Sequence, residues 1–384
     1  MIRTDSLRGR IALMVAHCAG MVDLVALPVW VGTLISKFGL DPQQAGALAT
    51  LFLAGAVLAS LVVAPRLDRL PGRWVAVAGF GVAALAFLFL STTRQYGAMC
   101  ALHALAGFSA GSALSVTHGT IARSPRPHRL FALVGIALGA FGIVFMGATP
   151  QIVAAVGGPA LFVVFGGVMV VATLVSAVSF PALDASAPQR QATRARIAGP
   201  VWFGIVGIGA MALVQAMSFS FLERVGADRG FGLAAVTAVL VATGVVNLLP
   251  AGLAALLEKR LVARHVLMAG PLLQAALVMV VMNADTFAPY AAAGAVLVAV
   301  MVFVHTFAFG LLARLEPTGR ALAATPAMLM VGAAIGPVLG GTLVKASGYP
   351  SLGWAALVIA VGAAFCMSRL PKAPATPPLQ GAAT

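Results

Sequence analysis

IALMVAHCAGMVDLVALPVWVGTLI fills residues 11–35. Wound as a helix, a run of this length rises about 37 Å, enough for a hydrocarbon core of about 30 Å. Its one acidic residue is Asp23. A carboxylate near the middle of a bilayer costs about 2.5–3.5 kcal/mol on insertion scales, so an acid kept at that depth is a candidate functional group by default. The run is too long for the apolar core of a signal peptide. No small-residue cleavage site clearly ends it, and further apolar runs follow at once. It is expected to be the first of many transmembrane helices.

Comparable runs lie near residues 43–64, 74–91, 97–121, 131–154, 159–180, 200–222, 231–256, 264–282, 289–312, 321–344 and 351–368. They are continuous and not alternating, which favours helices over a barrel. Composition agrees, with 61% hydrophobic and only 9% charged residues and a mean hydropathy of +1.03. A soluble protein of this size could not solvate such a surface. The expected class is all-α integral membrane, with twelve spans in a lipid bilayer.

The net charge of +14 would suggest nucleic acid in a soluble protein. Here the basic residues concentrate in short loops, and no nucleic-acid partner is expected. Cys18, Cys100 and Cys366 all lie in apolar runs without CxxC spacing or a histidine placed to share a metal. They read as packing residues. No metal and no cofactor are expected.

Charge sets the orientation. Lys37, Arg94, Arg224, Arg229 and Lys345 fall on one side of the twelve-span layout, and the other 19 of the 24 Lys and Arg fall on the opposite side. Basic loops mark the cytoplasmic face, so both termini are expected there. Tyr96, Tyr290 and Tyr349 fall at outer helix ends, where interfacial anchors sit. Short loops and a preference for Arg over Lys suggest a bacterial inner membrane. The longest polar stretch, around residues 181–199, is rich in Pro, Ser, Gln and Arg and reads as a cytoplasmic linker. It divides the chain into a six-span unit over 1–180 and another over 200–370. The Pro-rich tail, 371–384, has the composition of a disordered segment.

The halves echo each other. After the second run comes Ala64-Pro65-Arg66-Leu67-Asp68-Arg69-Leu70-Pro71-Gly72-Arg73, and after the eighth comes Ala254-Ala255-Leu256-Leu257-Glu258-Lys259-Arg260. In each, a small residue stands four positions before an acid–base pair at a cytoplasmic helix end. At these residues, and in its six-plus-six layout, the chain resembles the major facilitator superfamily. That family carries G-x-x-x-D-(R/K)-x-G-(R/K) between spans two and three. Asp68, Arg69, Gly72 and Arg73 match it, with Pro71 inserted and Ala64 in place of the first Gly. The resemblance implies two six-helix bundles around a central cavity, alternating access, and a conformational latch at Asp68, Arg69, Gly72, Arg73, Glu258 and Lys259. Asp68 is expected to pair with Arg73 or to cap a neighbouring helix.

Two more stretches resemble family patterns. Gly332-Ala333-Ala334-Ile335-Gly336-Pro337-Val338-Leu339-Gly340-Gly341 is similar to the G-x-x-x-G-P-x-x-G-G of the family's proton antiporters. There the pattern marks the fifth span, whereas here it lies in the eleventh. Gly332, Gly336, Gly340 and Gly341 are expected to let helices approach closely, with Pro337 permitting a bend. In the fourth run His103 precedes Gly107 by four, where the family often has Arg. Histidine titrates near neutral pH and is a candidate proton relay; a packed, hydrogen-bonded role is the alternative.

The polar residues inside the apolar runs are His17, Asp23, His103, His118, Gln215, Asn247, Gln274 and His305. Of these, Asp23, His103, Gln215, Asn247 and His305 form the candidate proton-coupling and substrate set. Glu223, beside Arg224 at a helix end, reads as interfacial. There is no GxxxxGK(S/T) for ATP, no HExxH and no clustered catalytic set, so the chain is expected to be a gradient-driven carrier and not an enzyme. No Lys or Arg lies at mid-span to complement an anion, which favours neutral, cationic or lipophilic solutes. The expectation is a monomeric, proton-coupled transporter of a small organic molecule, with export favoured. Uptake of a metabolite or organic acid by proton symport is the alternative, and a non-transporting, receptor-like membrane protein is the alternative of another class.

Overall fold

The structure, a computed structural model, describes residues 2–182, 198–258, 260–316 and 320–371, with the backbone alone for 320–326. Lys259, most of the linker and nearly all of the tail lie outside the described residues. Among those described, twelve helical segments are long and apolar enough to cross a membrane. Nine spans are single helices and three are broken in two.

Span 1 comprises α1 (Leu7–Gly20) and α2 (Val22–Phe38). Spans 2 to 6 are α3 (Pro42–Val63, with a following 3-10 turn), α4 (Gly72–Leu90), α5 (Tyr96–Ala122), α6 (Pro127–Val156) and α7 (Pro159–Ser179). Span 7 comprises α8 (Gly199–Phe219) and α9 (Leu222–Asp228), and span 8 comprises α10 (Leu233–Val246) and α11 (Pro250–Leu257). Spans 9 to 12 are α12 (Ala263–Asn283), α13 (Phe287–Leu315), α14 (Arg320–Ser347) and α15 (Pro350–Ser368). Turns are short and capped by local chemistry. Asp41 and Gln44 form a capping box at the start of α3, and Gly39 closes α2 in the left-handed region at φ 70°.

The helices gather in two six-helix bundles. In the first, α5 packs on α3 and α4, and α7 on α4 and α1. In the second, α14 packs on α8, and α15 on α12 and α8. The first bundle is centred on rings: Trp30, Phe52, Phe87, Phe162 and Phe165 are fully or almost fully buried, and Trp30 meets Phe165 edge-on at 4.8 Å. Val156, Leu256 and Val358 lie exposed on the outside, as suits helices that face lipid. Tyr290 departs from its expected role as an interfacial anchor. It is fully buried and its hydroxyl donates to the Leu222 carbonyl at 2.7 Å.

The breaks are the main departure from the apolar pattern, and each has a local cause. Pro250 opens α11 without an N–H to give, so the Val246 carbonyl takes the Leu249 N–H three residues on instead, at 3.1 Å, and span 8 parts at Asn247–Leu249. In span 7 the Ser218 and Ser220 hydroxyls donate back to the Val214 and Ala216 carbonyls, at 2.7 and 2.6 Å, just where the helix ends. In span 1 the break at Met21 follows Gly20, the weakest helix former in that stretch.

Candidate functional site

The break in span 1 sets the position of Asp23. It lies in the first turn of α2. A helix start offers unpaired N–H groups and positive partial charge, so the break gives an intramembrane acid a polar setting that a continuous helix would lack.

Asn247 stands at the break in span 8 as the C-terminal cap of α10, and its Oδ1 is buried without a partner. Span 5 lies between this break and that of span 1. A Cβ on Gly142 of α6 would touch Val25, while one on Gly139 would overlap Leu248. Gln215 accepts from Gln274 Nε2 at 3.1 Å, and its own Nε2 is buried without a partner. Buried polar atoms are normally satisfied, so the orphans on Gln215 and Asn247 mark sites with spare hydrogen-bonding capacity.

Glu223 lies in the first turn of α9, as a residue at a helix end. Its Oε2 is buried without a partner, tight against Gly32 of α2, where a Cβ would overlap that oxygen. The neighbouring charge does not serve it: Arg224 turns to Asp228, four residues on, at 2.6 Å. Glu223 therefore lies where span 7 meets span 1, between the bundles.

His103 also departs from its expected place on the cavity. It is fully buried in the aromatic core, stacked on Trp30 at 5.5 Å. Its Nδ1 lies 2.7 Å from the Met99 carbonyl, and its Nε2 accepts from Trp30 Nε1 at 3.3 Å. A carbonyl only accepts and an indole only donates, so these partners select one tautomer. His305 is half-buried, with Nδ1 at 3.1 Å from the Met301 carbonyl and Phe309 against its ring. His17 pairs with His118 of α5, nitrogen to nitrogen at 3.0 Å, a contact that spacing along one helix could not reveal. Among the described residues no group of three or more His, Cys, Asp or Glu is placed to hold a metal.

The bundles meet over the half of the membrane away from the termini. Lys345 Nζ of α14 reaches Asp41 Oδ2 at 2.9 Å. The Thr50 hydroxyl of α3 donates to the Ala334 carbonyl at 2.7 Å and accepts from the Val338 N–H at 3.1 Å. It thus bridges the two ends of one helical turn beside Pro337. Gln151 of α6 donates to Thr237 of α10 at 3.3 Å.

The eleventh-span glycines serve two faces. Gly332, Gly336 and Gly340 seat α8 within the second bundle, whereas Gly341 seats the start of α3, and the Pro337 carbonyl lies against Gly46 of α3. A Cβ on Gly341 would overlap the Pro42 carbonyl, so only glycine fits there.

The expected latch residues pair differently from the sequence expectation. Asp68 pairs with Arg123 at the end of α5 and not with Arg73. Arg73 instead donates to the Ala177 carbonyl of α7. In the second bundle Glu258 pairs with Arg314 at 2.8 Å. The two acid–base pairs thus occupy matching places, and each stays within its own bundle. Arg69 and Gly72 flank the Asp68 loop, and Gly72 makes only ordinary contact with Phe180 and Val116.

The family model of the Major Facilitator Superfamily matches residues 12–317. No curated protein matches the sequence. Among solved structures, a bacterial homologue of the human lysosomal transporter Spinster, in an inward-facing and occupied conformation, is similar at TM-score 0.75 and 15% identity, covering 94% of this chain and 96% of that one. The nucleoside transporter NupG is similar at TM-score 0.72 and 15% identity, with 94% and 98% covered.

Proposed function

The chain belongs to the Major Facilitator Superfamily, and from that premise we propose that this secondary transporter couples proton movement to export of a lipophilic or cationic small molecule. The observation that carries the reading is Asp23, an acid in the first turn after the break in span 1. A group there can exchange a proton on one side, carry it neutral, and release it on the other. Glu223, unpartnered beside Gly32, is a second carboxyl at the contact between bundles.

In this reading the substrate lies among Asp23, Gln215, Asn247 and His305. The absence of mid-span Lys or Arg favours solutes without negative charge, and the spare polar atoms of Gln215 and Asn247 supply hydrogen bonds to them. The basic loops favour both termini in the cytoplasm, and the membrane of this reading is a bacterial inner membrane. With that orientation the half sealed by Lys345–Asp41 and Thr50–Ala334 is the outer half, which supports reading this as an inward-facing arrangement. Alternating access then requires those contacts to part while others form on the cytoplasmic side. The chain acts as a monomer.

The test is flux in proteoliposomes under an imposed pH gradient, with lipophilic cations and organic acids as alternative solutes. Accumulation of a cation that collapses with the gradient is the expected result. Accumulation only of acids, or accumulation indifferent to the gradient, would overturn the reading.

A further inference from the structure

We infer that the terminal face of the first bundle holds a binding site for a phosphate-bearing anion. The site is a cavity of about 370 Å³ between the segment preceding α1 and the turn joining α5 to α6. Arg3, Arg10, Arg126 and Arg129 line it. Asp5 is the one acid in its wall, and Arg3 already engages it at 3.0 Å. Arg10, Arg126 and Arg129 make no ion pair among the described residues. Three unpaired guanidinium groups around one hollow repel each other, and an anion between them removes that cost. The planar fork of arginine suits phosphate oxygens in particular.

Two further features point the same way. Thr4 is part of the wall, 3% exposed, and its hydroxyl is buried without a partner. The 30-residue helix α6 begins at the cavity with Pro127, which has no N–H, and its N-terminal cap Arg126 makes no side-chain hydrogen bond to the N–H groups that follow. Those groups and the helix dipole attract anions. Leu130 and Leu133 continue the wall up α6, so the site offers charge at its mouth and apolar surface behind. That arrangement fits a phospholipid headgroup and equally the phosphate of a free solute. Occupancy would tie the N-terminal segment to the α5–α6 turn. This inference is independent of the transport reading.

The test uses the full chain in detergent, its thermal midpoint read with inorganic phosphate, with dioctanoyl phosphatidylglycerol and with dioctanoyl phosphatidylcholine. Phosphate or phosphatidylglycerol should raise the midpoint by about 3 °C or more, and phosphatidylcholine should not. A rise with phosphate identifies a free anion, and a rise with the anionic lipid alone identifies a headgroup. Arg126→Gln/Arg129→Gln should abolish the rise, and Arg10→Gln, the milder change, should reduce it. Arg66→Gln/Arg260→Gln, which removes the same charge elsewhere on that face, should preserve it. No rise with either anion, an equal rise with phosphatidylcholine, a rise that survives Arg126→Gln/Arg129→Gln, or its loss in Arg66→Gln/Arg260→Gln would overturn the site.

Discussion

Lys345 reaches across from the second bundle to hold Asp41 of the first, Nζ to Oδ2 at 2.9 Å. Asp41 has a second task, because its Oδ1 also accepts from the Gln44 N–H at 2.9 Å and so caps α3. One carboxylate therefore links the start of span 2 to the end of span 11.

Separating these tasks gives a first prediction. Asp41→Asn keeps a good helix cap and removes the ion pair, which at this exposed site is worth about 0.2–1 kcal/mol. Asp41→Ala removes both and should cost about 1 kcal/mol more in thermal unfolding. The pair should also withstand acid. Burial acts to raise the Asp41 carboxyl, but the Lys345 bond and the Gln44 and Gln43 N–H groups together hold it below its ordinary value. A depressed carboxyl contributes fully above its unfolded value and loses that contribution as pH falls through the folded one. Closure at this end should be insensitive to pH near neutrality and weaken only below the ordinary carboxylate range. A cross-bundle distance label that shifts between pH 6 and 8 in wild type but not in Asp41→Asn would contradict this.

Thr50 gives the second. Its hydroxyl makes two bonds to α14, to Ala334 and to Val338. Thr50→Val keeps the shape and loses both, at about 1 kcal/mol each. That is enough to shift a two-state equilibrium about tenfold or more away from the closed junction. Accessibility of a cysteine introduced at Gln43, which faces Gly341 and Lys345 across the junction, should rise accordingly in the Thr50→Val background relative to the same cysteine in wild type. An unchanged labelling rate would reduce Thr50 to a packing residue.

Asp68 and Glu258 give the third. Their pairs with Arg123 and Arg314 repeat at matching places in the two bundles, and both are exposed enough to contribute only about 0.2–1 kcal/mol. Asp68→Asn and Glu258→Gln should therefore leave the melting midpoint nearly unmoved. Turnover should fall several-fold in each if the pairs serve one conformational state. Full turnover in reconstituted protein would leave this loop as a topology signal.

The span count and the helical class were legible because apolar length and composition are properties of the chain alone. The three breaks were not. Ser218 and Ser220 are apolar enough in context to hide, and Pro250 inside a hydrophobic run looks like one more tolerated proline. Asp23 stood out because it interrupts an apolar run. Glu223 did not, because Arg224 beside it offered a simple partner. Only the three-dimensional path shows Arg224 turning to Asp228 and leaving Glu223 against Gly32. The glycines of span 11 announced close packing, but not that one set seats α8 and Gly341 seats the opposite bundle. The pairing of Asp68 with Arg123 likewise joins residues 55 positions apart, beyond any local pattern.

The most direct measurement concerns Asp23, whose place in the first turn after the break in span 1 underlies the coupling proposal. Asp23→Asn keeps size and most hydrogen bonding but cannot exchange a proton. In proteoliposomes this variant should lose accumulation driven by a pH gradient, by tenfold or more (about 1.4 kcal/mol of lost coupling). Substrate exchange at equal concentrations on both sides should persist. Uphill accumulation by Asp23→Asn with normal pH dependence would contradict the account and send the proton through another group.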